Sequence, residues 1–281
     1  MRIYCDIKRK SYGIGRVVYN LKRYAPPDIE IVSDKSEADL AVLHINGRRD
    51  HRTIEAQEIK KQGKQYAIIQ YVLGSSRNPD PRDWLELWNG AKAVWSYYDL
   101  REFVPDLYLA PLAADPEVFH PEPTDKMWLI GTNAAEYRVE CIGEVRLAAF
   151  NIGRVLHIGP AFEPSPITDV YENVTDEQLR GLYNQCNWFS SLRRKDGFEL
   201  TAVEAMLCGV RPIVFDTPNY RQWYQDLAEF VPETLPGELV RNVRNILNSP
   251  PRPLTSDEIE EVKRRFNWER IIKGFWERCM N

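Results

Sequence analysis

Short apolar runs of strand length alternate with amphipathic stretches from one end of the chain to the other, and this alternation decides the fold class. Parallel strands need a long crossover, usually a helix, so the pattern describes βα units on parallel sheets and excludes a sandwich or a helical bundle. In a first series, residues 1–7, 38–45, 65–72 and 91–95 read as strands. A loop at Gly13-Ile14-Gly15 leads into a helix over 16–23, and a charged helix spans 53–62. The second series has strands at 127–130, 154–158 and 211–215, an apolar run at 187–190, and helices over 137–150, 175–186 and 200–207. Between the two series, residues 110–125 are rich in proline and acidic side chains, which suits a linker better than a packed element. The chain therefore divides into a domain over 1–115 and a domain over 116–255, two copies of one doubly wound, Rossmann-like α/β plan, followed by a helix over 256–281. That tail starts at a capping Thr255 or Ser256. Its apolar face carries Ile259, Val262, Phe266, Trp268, Ile272 and Trp276 and would not stay in water, so it docks.

With 281 residues and 43% hydrophobic content, the chain can bury two ordinary cores. Cys5, Cys141, Cys186, Cys208 and Cys279 form no CxxC pair and have no His at zinc spacing, which reads as the reduced thiols of an intracellular protein. The apolar run before Lys8-Arg9-Lys10 is too short for a signal peptide, and no window approaches the roughly 20 apolar residues of a membrane span. The expected location is the cytoplasm. A net charge of −4 hides a basic start, with seven Lys or Arg against one Asp in the first 23 residues. Lys8, Arg9, Lys10, Arg16, Lys22 and Arg23 could meet an anionic acceptor, a phospholipid surface or a nucleic acid, although a solvated helix face with a basic turn explains the same charges. The overall acidity, with a pI near 5.7, does not support strong duplex binding.

The most informative segment runs from Arg193 to Gly209. A turn glycine, Gly197, precedes a helix whose first turn exposes unpaired backbone N–H groups, an end that favours phosphate both electrostatically and by hydrogen bonding. Asp196 stands before that end and Glu204 lies eight positions on, within the helix. Two carboxylates so placed can accept hydrogen bonds from vicinal hydroxyls, which is what sugar recognition requires. A helix-capping Asp followed by a surface Glu is the bland reading of the same spacing.

The stretch is similar to the E-G-F-G-x-x-x-x-E-A-M-x-x-G signature of the retaining, two-Rossmann-domain (GT-B, family 4) glycosyltransferases, which Gly197, Phe198, Glu204, Ala205, Met206 and Gly209 match. The resemblance implies that Asp196 contacts the donor sugar, that the backbone of Phe198, Glu199, Leu200 and Thr201 meets the diphosphate, and that Glu204 holds the ribose. It departs from the signature at Asp196, which replaces Glu, and at Glu199, which stands where the second glycine is usual and could itself take over the sugar contact. Arg194, with Arg193 and Lys195, could complement the diphosphate. Arg138 is the basic residue nearest to the Lys that the family carries after the first strand of its second domain, and the usual Arg is missing from Ile130-Gly131-Thr132-Asn133.

Further similarity covers most of the chain. The run from Val174 to Leu179 resembles the segment whose backbone meets the nucleotide base, at Val174. The stretch from Ala110 to Pro121 resembles the interdomain segment, and Phe266-Asn267-Trp268-Glu269 the final helix that crosses back toward the first domain. Gly13 and Gly15 occupy the first loop, where small residues let backbone approach the donor phosphates. The resemblance thus implies two Rossmann-like domains facing a donor-binding cleft. It also implies retaining transfer of a hexose from a nucleotide-diphosphate sugar, UDP- or GDP-linked, to an acceptor hydroxyl on a glycan, a lipid-linked sugar or a modified DNA base. The short length fits compact viral or phage members that modify DNA. No cofactor is implied, and the absence of any Asp-x-Asp argues against a metal-bridged diphosphate. His44, His51, His120 and His157 lack spaced partners for metal or nucleophilic chemistry. The rival reading is an inactive nucleotide-sugar-binding or scaffold protein of the same fold, since fold does not secure function.

Overall fold

The two longest strands, Leu40–Asn46 and Gln65–Val72, are apolar almost throughout and buried on both faces, as strands in the middle of a parallel sheet must be. They belong to a computed structural model that describes residues 1–5, 13–46, 49–74, 80–133, 139–160, 165–194 and 197–281. It divides into two units, one made of Met1–Leu112, Asp196–Phe198 and Trp268–Asn281, the other of Ala113–Lys195 and Glu199–Asn267. The main divisions thus fall between 112 and 113 and between 267 and 268, with a short stretch ending at Phe198 also assigned to the first unit.

In the first unit six parallel strands follow one another: β1 (Arg2–Cys5), β2 (Glu30–Val32), β3 (Leu40–Asn46), β4 (Gln65–Val72), β5 (Val94–Ser96) and β6 (Tyr108–Leu109). They lie in the order β2-β1-β3-β4-β5-β6. Helices α1 (Gly13–Arg23), α2 (Arg49–Lys61) and α3 (Leu85–Asn89) connect them. In α1 the buried face is Val17, Val18 and Leu21, while Tyr19 is exposed.

The second unit repeats the plan with β7 (Trp128–Asn133), β8 (Val155–Ile158), β9 (Thr168–Tyr171), β10 (Cys186–Ser190), β11 (Pro212–Phe215) and β12 (Glu229–Val231). Their order is β12-β11-β10-β7-β8-β9, again all parallel. The helices are α4 (Ile142–Ala149), α5 (Asp176–Asn184), α6 (Leu200–Leu207), α7 (Pro218–Tyr224), α8 (Pro236–Leu247) and α9 (Ser256–Arg265). The expected helix over 137–150 is shorter, because Cys141 takes a left-handed conformation (φ 55°) immediately before α4. The stretch expected as a linker is packed at its centre. Phe119 is fully buried with its ring 6.1 Å from that of Tyr183, and the Val118 carbonyl accepts from Arg180.

The tail is two helices rather than one. Phe266 leaves helical geometry (φ −105°, ψ 70°), and α10 (Trp268–Met280) begins two residues on. The break sends the two halves of the expected apolar face to different destinations. Ile259, Val262 and Phe266 are buried in the second unit, whereas Ile271, Ile272, Phe275 and Trp276 are buried in the first. There the Trp276 indole donates to the Leu21 carbonyl (3.1 Å), the Tyr108 hydroxyl donates to the Ile271 carbonyl (2.8 Å), and the rings of Phe275 and Trp95 lie 5.4 Å apart. Gly274 makes this approach possible, since a Cβ at that position would stand 2.5 Å from the Tyr108 hydroxyl.

Helix α9 is held by a capping box in which the Glu258 amide donates to Thr255 Oγ1 and the Thr255 amide donates to Glu258 Oε2. The other Glu258 oxygen accepts from the buried Arg211 at 2.6 Å. Glu258→Ala is expected to cost about 2 kcal/mol, combining a lost cap with a buried guanidinium left short of its counter-charge. A denaturant midpoint unchanged from the parent would show that the Arg211 bonds to the Arg252 and Asp226 carbonyls suffice.

All five cysteines are buried free thiols, and burial pushes Cys5, Cys141 and Cys279 up to about 12. No helix among the described residues is long and apolar enough to cross a membrane.

Candidate functional site

In the second unit the chain lays down β7, β8 and β9 in one direction, then returns to place β10 on the other side of β7. The carboxyl ends of β7 and β10 therefore flank the point where strand order reverses, which is where open α/β sheets bind ligands. Residues 191–194 leave β10 at that point, and residues 197–199 lead into α6. Arg193 and Arg194 are each tied to the segment after β7. The Arg194 amide donates to the Val139 carbonyl (2.8 Å), and Arg193 Nη1 donates to Glu140 Oε1 (2.8 Å).

Glu199 is the N-cap of α6 (φ −95°, ψ 99°), yet its carboxylate makes no hydrogen bond to the first-turn amides. Its backbone is clamped instead. The Tyr224 hydroxyl, at the end of α7, accepts from the Glu199 amide and donates to the Glu199 carbonyl, each at 3.1 Å. The Glu199 side chain is only 12% exposed, and among the described residues the cation that approaches it is Arg193, with Nε 3.6 Å away. Burial pushes this carboxyl up to about 7, against the pull of Arg193 and with the help of the Glu140 charge. Leu200 and Thr201 open α6 half-buried, with Thr201 Oγ1 3.4 Å from Ser191 Oγ.

Glu204 lies one turn further along α6 and is 3% exposed. Its Oε2 accepts from the Tyr183 hydroxyl of α5 at 2.8 Å, and the Tyr183 ring meets Phe189 of β10 edge-on at 4.7 Å. Two residues past the end of α6 stands Gly209, whose φ of +76° favours glycine, with the Gly209 and Val210 amides donating to the Met206 and Ala205 carbonyls. The signature residues at the helix end are thus explained by backbone geometry, and Glu204 by a buried hydrogen bond.

Arg194, given a diphosphate role on the sequence, directs its guanidinium to acids of the second unit: Glu144 of α4 at 2.9 Å and Glu233 at 3.7 Å, with the Thr234 carbonyl at 3.4 Å. Arg193, its neighbour, faces Glu140 and Glu199. Glu140 carried no local signal in the sequence, since its partner is 53 residues away. Gly197 and Phe198 are buried, and Val174 is half-buried just ahead of the Thr175 capping box that starts α5. Asp196 and Arg138 lie outside the described residues, as do Lys8, Arg9 and Lys10. Gly13 and Gly15 are in the first turn of α1 rather than in a loop before it.

His157 is buried in β8 with Nδ1 2.9 Å from Thr132 Oγ1, and burial lowers it to about 4. His44 is buried in β3 with Nδ1 2.9 Å from the Tyr71 hydroxyl, and burial lowers it to about 3. Both imidazoles are neutral at pH 7. No group of three His, Cys, Asp or Glu side chains that could hold a metal occurs among the described residues.

Residues 162–265 match the protein family described as "Glycosyl transferases group 1". Over 46 residues the chain is 46% identical to the GDP-mannose:cellobiosyl-diphosphopolyprenol alpha-mannosyltransferase of Xanthomonas oryzae pv. oryzae, an alignment covering 16% of this chain and 12% of that relative's length. Among solved structures, HepE of Anabaena in complex with UDP and glucose superimposes with a TM-score of 0.76 at 10% identity, covering 100% of this chain and 99% of that one. Sucrose-phosphate synthase from Thermosynechococcus elongatus gives 0.68 at 19% identity, covering 86% and 73%. Residues 162–265 thus resemble the glycosyl transferases group 1 family, and the chain has the two-sheet α/β fold of the GT-B structures on which it superimposes.

Proposed function

We propose that this chain is a retaining glycosyltransferase that moves a hexose from a nucleotide-diphosphate sugar to an acceptor hydroxyl. The observation that carries the reading is the position of α6, the signature helix: it follows β10, which flanks the strand-order reversal of the second sheet, and its start carries no side-chain cap. A diphosphate at that helix start would accept hydrogen bonds from first-turn amides, with Glu204 deeper in the same helix for the ribose hydroxyls. In the reaction the bond from the anomeric carbon to the phosphate oxygen breaks. The acceptor oxygen bonds to the same face of the sugar, and the acceptor's proton leaves with the diphosphate. The charge growing on the departing diphosphate is what the site must stabilise, and one well-placed donor to such a charge is commonly worth roughly 3 to 4 kcal/mol.

The donor class is supported by the relatives, since HepE was solved with UDP-glucose and the Xanthomonas protein is named for GDP-mannose. The name of the Xanthomonas protein, with its cellobiosyl-diphosphopolyprenol, favours a lipid-linked sugar as acceptor, and a further similar structure, the lipopolysaccharide outer core galactosyltransferase WaaB (TM-score 0.64 at 12% identity), favours a glycan.

A thermal-shift series with UDP- and GDP-hexoses tests the donor half. One donor is expected to raise the unfolding midpoint, because ligand at a hundredfold its dissociation constant stabilises by about 2.7 kcal/mol. Silence across both bases would refute the reading. Binding without release of nucleoside diphosphate in the presence of glycan acceptors would favour an inactive binding protein. The anomeric configuration of the product, read by NMR, decides retention: an α-linked donor must give an α-linked product.

A further inference from the structure

One half-buried guanidinium faces two carboxylates beside the start of α6, one of them buried and the other nearly so. Arg193 Nη1 is 2.8 Å from Glu140 Oε1, its Nε is 3.6 Å from Glu199 Oε1, and the two acids are 7% and 12% exposed. Among the described residues these are the charged groups facing Glu199, and the Tyr224 hydroxyl of α7 binds its backbone. The shorter contact belongs to Glu140, so Glu199 has the weaker claim on the shared cation. Because the Tyr224 hydroxyl holds Glu199 by both its amide and its carbonyl, the carboxyl cannot retreat by a simple shift of the chain.

We propose that the Glu140–Arg193–Glu199 cluster couples donor binding to proton uptake at Glu199. The proposal rests on the reading that a nucleotide-sugar diphosphate binds at the start of α6. A doubly charged diphosphate there is a further anion beside a carboxylate that is already short of counter-charge, and it also excludes water. Both effects favour the neutral acid. Without donor the balance differs, since burial and the Glu140 charge oppose the carboxylate while guanidinium and helix start support it, which leaves the group, at about 7, near half-protonation at neutral pH. On binding, a solvent proton joins Glu199 and no other bond changes. The donor does not contribute, because both phosphates of a nucleotide-diphosphate sugar are esterified and lack the ionisation near pH 6 of a terminal phosphate.

Calorimetric titration of the whole chain with UDP- or GDP-hexose at pH 6, 7 and 8, in two buffers of different ionisation enthalpy, measures this directly. Proton uptake is expected to grow from a small fraction at pH 6 toward one per donor at pH 8. The dissociation constant is expected to weaken toward tenfold per pH unit above 7. In Glu199→Gln the uptake should vanish and the constant should be flat with pH. Binding by the parent with no buffer dependence overturns the coupling but leaves the donor reading intact. Uptake that persists in Glu199→Gln assigns the proton elsewhere and also overturns it. No binding of either donor at any pH overturns the donor reading and this proposal together.

Discussion

Glu204→Gln is expected to lower donor affinity and transfer by about a hundredfold while leaving the unfolding midpoint nearly in place. A hydrogen bond to an ionised group contributes about 1.5 to 3 kcal/mol, and a carboxylate engaging both ribose hydroxyls would lose most of that on becoming an amide. Gln keeps the volume, and its carbonyl oxygen can still accept from the Tyr183 hydroxyl that Glu204 holds at 2.8 Å. Ala is the poorer probe, since it strands that buried hydroxyl and costs about 1 to 3 kcal/mol of stability on its own. The decisive comparison is kcat/KM and thermal shift with donor for the Gln variant. Wild-type values in both would reduce Glu204 to a brace between α5 and α6.

The largest loss of stability is expected from Trp276→Ala. The indole is fully buried, donates to the Leu21 carbonyl and packs 5.5 Å from Phe275. Truncating a buried Trp to Ala typically costs about 3 to 5 kcal/mol, a large part of what a domain possesses. Trp276→Phe keeps most of the apolar contact and gives up the hydrogen bond, so about 1 to 2 kcal/mol is expected. Urea unfolding followed by Trp fluorescence separates the two, and an Ala variant with the parent's midpoint would contradict the packing of α10 on α1.

The central strands were legible in the sequence and the outer ones were not, for one physical reason. β3, β4, β7, β8, β10 and β11 are covered on both faces and so announce themselves as apolar runs. The strands at the sheet margins, β2, β6, β9 and β12, are two to four residues long and half-exposed, as margins are, so Thr168–Tyr171 or Glu229–Val231 carry no apolar run. Helix starts marked by Thr175 and Thr255 were readable because a capping box is a local chemical pattern. The break at Phe266 was passed over although its sign is present: Phe266 and Trp268 are two positions apart, on opposite sides of one helix, so a single apolar face cannot run through both. At the site the signature gave α6, Glu204 and Gly209. The pairing of Arg193 with Glu140 depends on the loops after β7 and β10 meeting, which no spacing encodes.

The bond from Trp276 to Leu21 joins residues 255 positions apart. At a synthesis rate of about 5 to 20 residues per second, roughly ten to fifty seconds separate their emergence from the ribosome. During that interval the apolar face of α1, with Val17, Val18 and Leu21, has no helix to cover it, although the strands beneath are already made. The early half of the polypeptide must wait for the late half, and a nascent chain in that condition is a natural client for chaperones.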